Sequence, residues 1–173
     1  MGFLDEFEGD GEFADETIID ALYIQTQDSS TDFAARVSDA KLHTNHEEHD
    51  TAPGEEQLIV ELEVLQVTEG MCRKKGSAEP RELEVDDLIS LHFPMYENVK
   101  KSYKKNLYKE LVNGLSAMAG KRESEVRKDT RSFVKDAAKG KFDDNTVRVV
   151  SKPPNDSGYE NLELMPFDED NLD

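Results

Sequence analysis

Apolar and polar residues alternate with a period of two along three stretches of the first half of the chain. In "TDFAARVSDAKLH", Phe33, Ala35 and Val37 alternate with Asp32, Ala34, Arg36 and Ser38, the pattern of a half-buried strand. In "QLIVELEVLQVTEG", Leu58, Val60, Leu62 and Val64 share one face, with Glu61 and Glu63 on the other. In "ELEVDDLISLHFPMYEN", Ile89, Leu91 and Phe93 alternate with Ser90 and His92 until Pro94 stops the run. This parity sends Phe93 to the core and turns His92 outward. A shorter apolar segment, "ETIIDALYIQTQ" (16–27), precedes the three as a helix or strand.

The period changes after Asn98, a good N-cap. Val99, Tyr103, Leu107, Leu111 and Leu115 recur every four residues, joined by Tyr108, Val112 and Met118, and Gly120 stands where a C-terminal cap belongs. A second helical segment, about Ser124 to Ala138, points Val126, Phe133, Val134 and Ala137 inward and ends at Gly140. Two strands follow: "NTVRVVSK", with Val147 and Val149 opposite Arg148, and "YENLELMPF", joined by the turn "PPNDSG". "HTNHEEHDTAPGEE" and "MCRKKGSAEPR" read as polar connections. No internal repeat is visible.

Strand-strand-strand-helix-strand-strand is the element order of the OB-fold, a small barrel that binds oligonucleotides on its strand 2–3 face and flanking loops. The expected fold is therefore mainly β with α: a five-stranded OB-fold-like barrel, with a helical insertion at about 98–139 between strands 3 and 4. Residues 1–15 are expected as an acidic disordered arm, 16–167 as the domain, and 168–173 as an acidic flexible tail.

Charge adds a second layer to this picture. The formal net charge is -18, yet residues 99–141 hold 13 Lys/Arg against 5 Asp/Glu, a local net of +8. Residues 1–20 contain eight acids and no base. An acidic total argues against undirected adhesion to nucleic acid, whereas a local basic surface can still bind it. No run approaches the roughly 18 apolar residues of a membrane helix, and the acidic N-terminus is unlike a signal peptide. The single Cys72 suits a reducing compartment. These features lead to the expectation of a soluble, cytoplasmic protein.

The opening "MGFLDEFEGD", the strand "QLIVELEVLQVTEG" with its basic loop, the aromatic-Pro step in "LHFPMYEN", the helix "KKNLYKELVNGLSAMAG" and the closing "TVRVVSKPPNDSGYENLELMPF" together resemble a family of small phage proteins. These are encoded near replication and recombination genes. The resemblance spans roughly residues 30–167 and implies an OB-fold single-stranded-DNA-binding protein in the host-cell cytoplasm.

Single-strand binding needs cations along a groove and flat side chains on which bases stack. Arg36 and Lys41 on the first strand, Arg73, Lys74 and Lys75 in the second connection, and Arg148 and Lys152 near the fourth strand supply the cations. His92, Tyr96 and Tyr159 supply the stacking. The lysine-rich helix reads first as a solvated face that seals the barrel. Pro166, Phe167, Asp168, Glu169 and Asp170 resemble the acidic C-terminal peptides of single-strand-binding proteins, which gate their own groove or recruit replication and recombination partners.

Other chemistries lack parts. There is no Gly-rich phosphate loop, Gly-x-Ser-x-Gly or His-Glu-x-x-His. Asp86 and Asp87 are adjacent acids without converging groups, and Cys72 reads as a small surface residue despite its basic neighbours. His43, His46 and His49 lie three apart beside acids, but one loop makes a poor metal site and a hydrated loop is the default. The expectation is a non-catalytic, cofactor-free protein that binds single-stranded DNA with little sequence preference, its oligomeric state open. The rival is a protein-binding phage factor: a replisome or recombinase adaptor, or an acidic DNA mimic.

Overall fold

The structure, a computed structural model, describes residues 22–25, 29–44, 56–74, 79–94, 102–151 and 162–167. Eight strands and three helices follow one another as β1 (Leu22–Ile24), β2 (Asp32–Thr44), β3 (Glu56–Glu69), β4 (Met71–Lys74), β5 (Arg81–Glu82), β6 (Leu88–Pro94), α1 (Ser102–Ala119), α2 (Glu123–Lys128), α3 (Thr130–Ala138), β7 (Thr146–Ser151) and β8 (Leu162–Pro166). The strands form one sheet in the order β5-β4-β1-β6-β3-β2-β7-β8. Every pairing is antiparallel except that of β1 with β6.

This sheet corrects the expected five-stranded closed barrel. The five predicted strands are present as β2, β3, β6, β7 and β8, and α1 lies between the third and fourth of them. Closing that set would require its outer members, β6 and β8, to pair. β6 instead spends its second edge on β1. The free edge of β8 is met by a side chain of α1: Asn113 Nδ2 donates to the carbonyl of Leu164 and the Leu164 N–H donates to Asn113 Oδ1, both at 2.9 Å. With both edges engaged the sheet stays open and grows outward through β1, β4 and β5. The segment expected as a basic connection supplies those last two strands.

The alternation in β2 breaks once. Val37 pairs with Leu62 and Asp39 with Glu61, so Ser38 is an extra residue, a β-bulge that flips the parity. Its hydroxyl donates to Glu61 Oε1 at 2.8 Å. Phe33, Ala35 and Val37 therefore share the core face with Ala40 and Leu42. Leu58, Val60, Leu62, Val64, Ile89, Leu91, Phe93, Val147, Val149 and Leu164 complete it.

The three helices pack on this face. Leu111, Val112, Leu115 and Met118 of α1 are buried, as the four-residue stripe predicts, and Gly120 ends the helix with φ 68. Gly114 lies against Phe93: a Cβ there would come within 2.9 Å of the ring. The predicted second helix is broken at Asp129 (φ -154, ψ 66), whose carboxylate accepts from the Ser132 N–H and caps α3. Tyr108 ties α1 to this pair. The Thr130 hydroxyl spends its hydrogen on the Val126 carbonyl (3.1 Å), so Tyr108 donates to Thr130 Oγ1 at 3.0 Å, with the Arg127 guanidinium 5.3 Å from its ring centroid.

Cys72 also differs from its reading as a surface residue. It pairs with Ile24 on β1, on the core side of the sheet, and is fully buried. Burial pushes its thiol up, outweighing the nearby Arg81, which favours the neutral thiol over the thiolate. Among the described residues no helix is long and apolar enough to cross a membrane.

Candidate nucleic-acid interface

Cross-strand partners point to the same side of a sheet, so the register decides which predicted residues share a surface. Arg73 pairs with Tyr23, Leu22 with Ile89, Ile59 with His92 and with Lys41, and Ala34 with Arg148. Tyr23, Arg73, His92, Lys41, Arg36 and Arg148 therefore stand on the side of the sheet opposite the helices. Five predicted cation or stacking positions from four strands converge on it. Ala34, Ile59 and Ser90 lie low in the same face and are buried.

Lys74 alternates with Arg73 and is exposed at the end of β4. Lys75, Tyr96, Lys152 and Tyr159 lie outside the described residues, as do His46, His49 and the acids Asp168, Glu169 and Asp170. The predicted arm at 1–15 lies outside them too. His43 is on β2, paired with Gln57. Among the described residues no group of three His, Cys, Asp or Glu could hold a metal ion.

The cations of the face differ in how firmly they are held. Arg148 makes a two-pronged contact with Asp32: Nε to Oδ1 at 2.8 Å and a terminal nitrogen to Oδ2 at 2.7 Å. That carboxylate raises its already high pKa. Lys41 is 3.6 Å from Asp39, with both side chains about two-fifths exposed. Asp39 is meanwhile fixed by the Ala40 N–H at 2.9 Å. Surface pairs of that kind are weak, so the Lys41 ammonium can swing to another anion. Arg73 and Lys74 are exposed and form no ion pair among the described residues. The readily available positive charge of the sheet is therefore at β4.

Beside it stands a pair of rings. The centroids of Tyr23 and His92 are 5.4 Å apart with planes tilted by 41°. A base would need about 7 Å between rings, twice the 3.4 Å stacking rise. No slot therefore exists between the two, and a base would stack on their outward surface. His92 Nδ1 donates to Gln57 Oε1 at 3.1 Å, an oxygen that only accepts, which fixes the ring's orientation. Tyr23 was not among the predicted residues. Its signal was parity: between Leu22 and Ile24 in "ALYI" it must face away from them once the segment is a strand.

From Arg73 on β4 to Lys41 on β2 the sheet crosses β1, β6 and β3, four steps of about 4.8 Å or roughly 19 Å in all. That is enough for a few nucleotides. Carboxylates interleave along the rest of the face: Asp32, Asp39, Glu61 and Glu63.

The C-terminal elements are anchored. Pro166 is exposed at the end of β8. Phe167 is half-buried: its N–H donates to the Thr146 carbonyl at 3.2 Å and its own carbonyl accepts from the Thr146 hydroxyl. The adjacent acids Asp86 and Asp87 are engaged separately. Asp87 accepts from both terminal nitrogens of Arg81 (2.8 and 2.9 Å) and from the Glu84 N–H (2.8 Å), while Asp86 turns the chain at φ 75. No protein-family model, curated protein or solved structure matches the chain.

Proposed function

We propose that the protein is a non-catalytic single-stranded-DNA-binding protein of a phage replication or recombination system, acting in the host cytoplasm. The strand lies across the helix-free face of the open sheet, at its β4–β1–β6 end. The observation that carries this reading is the Tyr23–His92 ring pair, with Arg73, which forms no ion pair among the described residues, on the strand next to Tyr23 and the loosely held Lys41 two strands beyond His92. The rings offer bases a π-surface that is indifferent to sequence, and the cations meet phosphates on either side. Arg148, already committed to Asp32, contributes little to phosphate binding. The acidic C-terminal segment beyond Phe167 recruits partners or competes for the same cations.

Titration of labelled oligo-dT at low and moderate salt tests the proposal. Binding that weakens steeply with salt is expected, because phosphate neutralisation releases counterions. The carboxylates Asp32, Asp39, Glu61 and Glu63 on the same face favour a second reading, a protein-binding factor that presents acids to a basic partner. Absence of strand binding at low salt, even after residues 168–173 are removed, would leave that reading standing alone.

A further inference from the structure

Among the described residues the exposed large hydrophobics are Val85 and Leu88, 55% and 46% exposed, and both belong to the β5–β6 corner. Apolar residues scattered singly over a surface need no explanation, whereas two in one corner do. The fold demands neither. Val85 is the second residue of the turn that the Asp87 N–H closes on the Glu84 carbonyl at 3.2 Å. Leu88 pairs with Glu63 on the helix-free side of the sheet, out of phase with the buried Ile89 and Leu91.

The corner is firmly held. The Val64 N–H donates to the Asp87 carbonyl and the Val64 carbonyl accepts from the Asp86 N–H, both at 2.9 Å. The Leu83 N–H donates to the Gly70 carbonyl at 3.0 Å, and the Asp87 carboxylate ties Arg81 to the Glu84 N–H. These bonds keep Asp86 at φ 75, a turn position that suits glycine. A partner therefore finds Val85 and Leu88 already in place and loses little entropy in ordering them.

Carboxylates surround the apolar pair. Glu82, Glu84 and Asp86 are exposed and form no ion pair among the described residues, while Arg81 and Asp87 neutralise each other. Such a corner repels phosphates, and the net charge of -18 repels a second copy of the chain. Its complement is a cationic surface with apolar side chains in its midst. We infer that the corner docks a basic amphipathic segment of another protein. The segment's apolar side chains cover Val85 and Leu88, and its Lys or Arg residues meet Glu82, Glu84 and Asp86. None of these residues belongs to the proposed strand site or to the acids of the protein-binding reading, which lie on β2 and β3.

The test titrates a short synthetic peptide of Lys and Leu at helical spacing into the isotope-labelled full chain, with an all-Lys peptide of equal length as control. The Lys–Leu peptide is expected to shift the amide resonances of residues 82–88 and to bind more tightly than the control. Joint replacement Val85→Thr and Leu88→Thr should weaken it about tenfold by removing apolar contact. Tm should hold in that variant, because both side chains face solvent. Glu82→Gln, Glu84→Gln and Asp86→Asn together should instead flatten the salt dependence, and asparagine tolerates the positive φ at position 86. Absence of binding, equal affinity for the two peptides, or affinity untouched by the threonine pair would overturn the inference. So would shifts confined to the surroundings of Asp32, Asp39, Glu61 and Glu63. A wild-type dimer in sedimentation that the threonine pair splits would make a second copy the occupant and overturn the basic partner.

Discussion

The side-chain amide of Asn113 grips the backbone of Leu164 at both of its polar groups, two hydrogen bonds of 2.9 Å from the middle of α1 to the outermost strand. Leu164 pairs with Val149 on β7, and the groups that Asn113 takes belong to the opposite, unpartnered edge of β8. The amide thus does what one residue of a ninth strand would do. It covers an edge that would otherwise invite pairing with another chain, and it holds the helical layer in register with the sheet.

Removing that amide should cost stability out of proportion to its size. Asn113→Ala leaves two backbone groups of Leu164 without partners beneath a helix, for a loss of about 2 kcal/mol. For a chain of this length that corresponds to a fall in Tm of about 4–8 °C. Asn113→Asp keeps the acceptor but aims a carboxylate oxygen at the Leu164 carbonyl, and should be worse than alanine at neutral pH. Thermal melts of the three proteins check the order.

Thr31 offers a change in the other direction. It is buried, and its Oγ1 has no hydrogen-bond partner among the described residues. Its backbone is well anchored: the N–H donates to Ser151 Oγ and the carbonyl accepts from the Ser151 N–H, both at 2.9 Å. Thr31→Val keeps the shape and discards a desolvated hydroxyl, so it should raise stability by up to about 1 kcal/mol. Thr31→Ser keeps the orphan oxygen and deletes the methyl that lies toward Gly70, so it should destabilise. Denaturant midpoints with unchanged slopes would establish both signs.

Residue periodicity made the strands and the face of α1 legible, because each depends on a repeat shorter than the element carrying it. The outward turn of His92 and the burial of Phe93 followed from that parity alone. Four features depended on partners distant in the chain. The bulge at Ser38 is recognised only against Glu61, with Val37 and Ala40 both buried on either side of it. The barrel failed to close because β1 took the edge of β6 and Asn113 took the edge of β8, neither of which a local pattern records. Tyr23 entered the candidate site only when its segment was seen to be a strand beside β6. Cys72 was misjudged because its basic neighbours suggested a loop, whereas pairing with β1 and β5 turns it inward.

The β5–β6 corner should titrate. Arg81 holds the Asp87 carboxyl below its usual range, helped by the Glu84 N–H and opposed by partial burial. A carboxylate with a depressed folded-state pKa stabilises the protein fully above its unfolded value, near 3.9. That contribution fades as pH drops through the lower folded value. The stability gap between wild type and Asp87→Asn should therefore be steady from pH 7 to 5, at about 1–2 kcal/mol for charge-assisted bonds on a side chain only 12% exposed. It should shrink below about pH 4. Urea midpoints across this range decide it. A gap unchanged at pH 2 would show that the charge is not its source.

The sheet-face reading makes its sharpest prediction where two arginines of the same face are held differently. Arg73 is exposed and forms no ion pair among the described residues, whereas Arg148 already grips Asp32. If phosphates bind at the β4 end, Arg73→Gln should reduce the slope of log affinity against log salt by about 0.7, the value of one phosphate contact on a single strand. Arg148→Gln should leave that slope nearly unchanged. His92→Ala and Tyr23→Ala each remove a stacking surface worth about 1–3 kcal/mol, so each should weaken oligo-dT binding by roughly tenfold or more with little change in slope. His92→Phe keeps a flat ring and should recover most of the loss. Equal slopes for the two arginine variants, or full affinity in His92→Ala, would move the strand off this face.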